Sequence, residues 1–155
     1  MLTADAVASF FQGIARLYVK DAVEVELLTR ARSCPVQGMV GWDVDRWRII
    51  ADRAMTPKAL LVLLFHELGH IHFGDATRTQ NSWSWDRAVF TGQQTVAAAL
   101  RRQGWVVQGQ EPETKPSEDR VNEWAVRQVR TWLPVLDAIR NAQETAKRTV
   151  ERTMS

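Results

Sequence analysis

The feature that most constrains this chain is an apolar run that ends in two histidines: Leu60-Leu61-Val62-Leu63-Leu64-Phe65-His66-Glu67-Leu68-Gly69-His70. Thr56 followed by Pro57 reads as a helix start, a hydroxyl cap and then proline at the first helical position. Gly74 reads as a helix stop. The spacing predicts one helix from Pro57 to about Phe73. It is apolar on nearly every side, so it is expected to be buried. Burying two imidazoles and a carboxylate among leucines is costly unless something compensates them. A metal ion would. His66 and His70 lie on one helix face, about 6 Å apart along the axis. Both can reach one ion at the usual zinc–nitrogen distance of about 2.0–2.1 Å. Glu67 points to the edge of that face, where it can meet a water beside the metal rather than the metal itself.

A chain of 155 residues suggests one domain, 1–155, with a proper core. Its longest apolar run, Ala59 to Phe65, is far short of the roughly 18 residues that span a bilayer. No basic stretch followed by an apolar segment opens the chain, so no secretion signal is expected. Cys34 is the one cysteine, which excludes an internal disulfide and fits a reducing, cytoplasmic setting. A net charge of +2 is too small to argue for nucleic acid by itself.

The pattern along the chain predicts an α+β fold. Val7, Phe10, Phe11, Ile14, Leu17 and Tyr18 recur at helical spacing over Ala4 to Val19. Val23 to Leu27 alternates like a half-buried strand, and Val36 to Trp42 with Trp47 to Ala51 reads as a hairpin turning at Asp43 to Asp45. A small antiparallel or mixed sheet therefore precedes the histidine helix. Beyond it, Asp75 to Ser84 reads as a polar loop, Asp86 to Arg102 as a helix ending at Gly104, and Val106 to Pro116 as a loop or flap. Ser117 caps a further helix, Glu118 to Trp132. Pro134 interrupts that helix or opens a last one to about Arg152, expected to bury Leu136, Ile139, Ala142, Ala146 and Val150. Trp83 and Trp85, set in the polar loop, are candidates to line a groove or grip a partner.

A catalytic zinc takes three protein ligands and keeps one position open. The third histidine, His72, is about 200° round the helix from His70, so it faces away. A His-Glu-x-x-His-x-x-Gly-x-x-His site would need glycine and histidine where Phe73 and Ala76 stand. The third ligand must be a carboxylate or Cys34. Val121, Trp124, Ala125, Val129 and Trp132 mark the apolar face of the helix after Ser117. Glu118 borders that face, while Glu123 falls among Arg120, Arg127 and Arg130. A carboxylate on the core side needs a partner, which zinc supplies, although an acid in a first turn also favours the helix dipole. Asn122, one turn after Glu118, can hold a ligand histidine by a hydrogen bond from behind.

His66-Glu67-Leu68-Gly69-His70, followed by Glu118-x-x-Val121-Asn122-x-Trp124-Ala125, resembles the two motifs of the ImmA/IrrE metallopeptidases. The resemblance covers most of residues 1–134. Val121 and Trp124 replace the usual alanine and phenylalanine, Pro134 falls about a turn late, and the segment between the motifs is long. The resemblance implies a zincin-like fold with His66, His70 and Glu118 on zinc and Glu67 as general base. It implies an endopeptidase whose protein substrate is a DNA-binding transcriptional repressor of a phage, mobile element or stress response. No histidine remains to steady the oxyanion, which leaves Tyr18, an arginine or a backbone N–H. The edge of Val36 to Trp42 is a place for an extended substrate. Two other readings compete: an antirestriction-type nucleic-acid-binding module using the later arginines and exposed tryptophans, and a zinc-stabilised interaction protein without activity, against which the intact Glu67 argues.

Overall fold

Thr3 starts the first helix by accepting the Ala6 N–H on its hydroxyl at 3.1 Å. This computed structural model describes residues 2–78, 83–93 and 115–154. Helix α1 (Ala4–Ile14) buries Val7 and Phe11 and tightens into a 3₁₀ turn, Ala15–Leu17. Three strands follow: β1 (Val23–Leu28), β2 (Gly38–Asp43) and β3 (Arg46–Asp52). The sheet is mixed, in the order β1-β3-β2, with β3 parallel to β1 and antiparallel to β2. The central strand β3 buries Trp47, Ile49, Ile50 and Ala51. Among the described residues β1 and β2 are the edges.

Helix α2 (Pro57–His72) lies against the sheet and α1. Leu60, Leu61, Leu64, Phe65 and Leu68 are wholly enclosed, as the apolar run predicts. Phe65 meets Phe11, Tyr18 and Trp124 edge-on. Thr56 is the N-cap residue, but its hydroxyl makes no cap bond. Its carbonyl takes the Leu60 N–H instead, and Pro57 sets the first helical φ. Gly74, at φ 77°, turns the chain out of the helix as expected.

The elements after α2 depart from the sequence pattern. Helix α3 runs Trp83–Thr91, starting inside the expected polar loop and ending before Gly92 at φ 85°. Trp83 is buried, packing with Cys34, Ile50 and Phe90 against β2. A Cβ on Gly41 would come within 2.9 Å of its ring, so the bare backbone there admits the indole. Trp83 is thus core, not a gripping surface. Residues 94–102 of the expected helix, Gly104 and the flap up to residue 114 lie outside the described residues. Helix α4 (Lys115–Met154) passes through Pro134 without a break. Leu136 is buried, but Ile139 and Val150 are 42% and 56% exposed, and Ala142 and Ala146 are exposed too. Beyond Leu136, the stripe predicted to be core has no covering element among the described residues. No described helix is long and apolar enough to cross a membrane.

Candidate metal centre

Gly69 sets how closely α4 approaches α2. A Cβ there would stand 2.8 Å from Val121 Cγ1 and 3.2 Å from the Trp124 ring. Without one, Val121, Trp124 and Ala125 bury themselves against α2. The apolar phase that closes this contact also delivers Glu118 and Asn122, four residues apart on one face of α4, to the histidines.

His66 Nε2 and His70 Nε2 lie 3.1 Å apart. Glu118 turns one carboxylate oxygen to each, Oε2 at 3.3 Å from His66 Nε2 and Oε1 at 3.4 Å from His70 Nε2. Taking one donor atom per residue, all lie within 4.8 Å of one another. Donors held about 2.0–2.1 Å from a tetrahedral ion stand about 3.3–3.4 Å apart, so the spacing is of the right size. The rings are aimed as ligands. His66 Nδ1 lies 2.8 Å from Asn122 Oδ1, and His70 Nδ1 lies 3.4 Å from Asp75 Oδ2. A proton on each Nδ1 satisfies these acceptors and leaves both Nε2 lone pairs pointing at the gap. Burial first, and then the neighbouring His70, holds His66 below the ordinary imidazole value, which keeps it neutral. Two lone pairs and a carboxylate converging on one point repel one another unless a cation sits between them. The residues therefore fit a metal ion.

Glu67 is buried beside this cluster. Burial, and second the nearby Glu118 charge, push its carboxyl up to about 8. A cation among the donors would favour its ionised form and lower that value.

The structure brings together four of the residues expected here: His66, His70, Glu118 and Asn122. Glu123 is exposed, on the solvated side of α4. His72 faces away and stacks on Trp124 at 4.9 Å. Cys34 belongs to the separate cluster with Trp83. Tyr18 is one of the groups expected as candidates to steady an oxyanion. Its hydroxyl donates to Gln128 Oε1 at 2.8 Å and accepts from Trp132 Nε1. Gln128 is ten residues past Glu118, about 15 Å along the helix, so this hydroxyl is spent far from the donors. Sequence reasoning missed Asp75 and placed Arg120 among solvated arginines. Arg120 Nη2 reaches Asp75 Oδ1 at 3.2 Å, and its guanidinium lies 4.4 Å over the Phe73 ring. The available signal was an acid directly after the helix-stopping Gly74. No family model matches this chain, and no curated protein or solved structure matches it.

Proposed function

We propose that this chain is a zinc-dependent endopeptidase with a zincin-like arrangement, acting on a protein substrate. The observation that carries the reading is the placement of Glu67: a buried carboxyl next to a donor set of only three groups, His66, His70 and Glu118. A purely structural site needs four protein ligands and no neighbouring base. His66, His70 and Glu118 would hold the ion through two Nε2 atoms and a carboxylate. Zinc, when bound, supplies Lewis acidity toward a scissile carbonyl and acidifies a water in the site.

Glu67 takes the proton of the attacking water and passes it to the leaving amine. Its burial keeps that proton from exchanging freely with solvent. Asn122 keeps His66 in the tautomer that offers Nε2. Leu63, His66, Glu67 and His70 share one face of α2 by their spacing. Gly38, at the start of β2, touches Leu63, where a Cβ would stand only 2.8 Å from Cδ2. The β2 edge therefore runs beside the catalytic face, and an extended peptide can add to it as a further strand.

Resemblance to the ImmA/IrrE motifs makes a DNA-binding repressor the substrate of choice. The nucleic-acid-binding reading loses Trp83, which is in the core, and keeps the exposed arginines of α4. The test pairs zinc-loaded wild type with zinc-loaded Glu67→Gln. Each is incubated with the product of the neighbouring gene, once identified, and with unfolded casein, and the fragments are weighed by mass spectrometry. Wild type should yield zinc-dependent fragments and the variant should not. Equal fragmentation by both proteins, or none by wild type, would overturn the proposal.

A further inference from the structure

We infer that Asp75 and Arg120 are positioning residues for His70, so that α4 orients both histidines of the metal centre and not His66 alone. This rests on the metal-binding reading of the site and not on peptidase activity.

The loop after α2 is built to bring Asp75 back. Gly74 adopts φ 77°, and the Ala76 N–H then closes on the His70 carbonyl at 2.9 Å. Asp75 is trapped between these two points, beside the ring of the residue whose backbone holds the loop. The His70 side chain is only 4% exposed. A buried imidazole N–H needs an acceptor from the protein, and Asp75 Oδ2 lies within reach of Nδ1 at 3.4 Å.

The carboxylate is itself held. Its other oxygen meets Arg120 at 3.2 Å, and Arg120 lies over Phe73, the C-cap residue just after α2. Arg120 sits between Glu118 and Asn122 on α4. Their four-residue spacing puts Glu118 and Asn122 directly on the site, while Arg120 leaves the helix on another side and reaches round to Asp75. One turn of α4 thus supplies a ligand, the support of His66 and the anchor of the support of His70.

The two supports differ chemically. His66 donates to a neutral amide, His70 to an anion. A carboxylate behind an imidazole raises the basicity of the opposite nitrogen more than an amide does.

The experiment measures metal binding and ring tautomer, not turnover. Zinc affinity is determined by chelator competition for wild type, Asp75→Ala, Asp75→Asn, Arg120→Ala and the exposed control Glu123→Ala. Asp75→Ala should bind about 10–100-fold more weakly, the usual cost of losing such a support. Asp75→Asn, which keeps an acceptor and loses the charge, should fall between Ala and wild type. Arg120→Ala should weaken binding less than Asp75→Ala, and Glu123→Ala not at all. In the metal-free proteins, nitrogen-15 shifts should show His70 protonated on Nδ1 in wild type and as a tautomer mixture in Asp75→Ala, with His66 unchanged. Should Asp75→Ala fail to fold, the Asn variant and the wild-type tautomer still decide. Wild type binding zinc with Asp75→Ala equal to it, in affinity and tautomer, would overturn the inference and leave the metal centre standing. Wild type binding no zinc would overturn both.

Discussion

The Nε2 atoms of His66 and His70 stand 3.1 Å apart, with both Nδ1 atoms turned to acceptors behind them. With the protons on both Nδ1 atoms, two nitrogen lone pairs at that separation oppose each other, and the Glu118 carboxylate adds a negative group. The folded chain gathers these donors and the unfolded chain does not, so a cation held by them would favour the folded state. With free zinc at about 1,000 times its dissociation constant, binding adds about 4 kcal/mol. In a chain of this size that is about 10 °C in Tm. Calorimetry with and without chelator should show this shift, alongside about one zinc per chain by metal analysis. An unchanged Tm in chelator contradicts the site.

Glu67→Gln separates binding from chemistry. The amide fits the same buried space but cannot accept the proton of the attacking water. Zinc content should stay near wild type while cleavage falls by about 10²–10⁴. Single-turnover rates at saturating zinc check this, and a wild-type rate refutes the role of Glu67.

Glu118 and Glu123 are carboxylates on one helix with opposite fates. If Glu118 is a ligand, as proposed, Glu118→Ala should lower zinc affinity by more than the about 10–100-fold of a lost outer support. Glu123→Ala touches an exposed residue and should change stability by about 0–1 kcal/mol, with zinc unaffected. Competition with a chromogenic chelator ranks the two, and the reverse ranking would put the phase of α4 wrong.

Gly69 predicts a coupling between packing and metal. Alanine there would press on Val121 and Trp124. Overpacking costs about 1–3 kcal/mol, against about 1 kcal/mol gained by removing a glycine from a helix. Urea unfolding should show a net loss. Zinc affinity should fall with it, because Glu118 and Asn122 ride on the displaced helix. Adding Val121→Ala should restore both, and restored stability without restored zinc binding would uncouple them.

The raised carboxyl of Glu67 gives the metal-free protein a pH dependence of definite sign. Its folded-state value of about 8 lies above the ordinary 4.5, so folding takes up a proton between those limits. The contribution is full below pH 4.5 and is lost as pH rises through 8. His66 acts the other way: its lowered value gives a contribution present above 6.5 and lost as pH falls. Between pH 6.5 and 8 only Glu67, of these two, has an effect. Stability in chelator should fall across that window, by at most about 1.4 kcal/mol per pH unit. Glu67→Gln should be flat there, as read by urea midpoints at pH 6.5, 7.2 and 8.

Helical phase is local geometry, and what depended on it alone was legible. His66, Glu67 and His70 share a face because of their spacing, and Glu118 and Asn122 follow from the apolar stripe beside them. Partnership is not local. Ile139, Ala142, Ala146 and Val150 recur like a core stripe, but periodicity reports only that residues share a face, not that another element covers it. Trp83 sits among polar neighbours, and nothing in its vicinity announces the gap over Gly41 that receives it. Asp75 was illegible for a related reason. Its role depends on where the chain goes after Gly74, and Arg120 reaches it from 45 positions away.

The donors come from two helices with a long stretch of chain between them, and this has a consequence for synthesis. A growing chain that has emerged only as far as α2 carries His66, Glu67 and His70, but lacks Glu118, Asn122 and Arg120. It holds a base and two imidazoles with no third ligand and no anchor for either ring. Glu118, the support of His66 and the anchor of Asp75 then leave the ribosome within five consecutive residues. The donor set is therefore completed late and nearly all at once, and a nascent chain that has emerged only through α2 lacks the complete set.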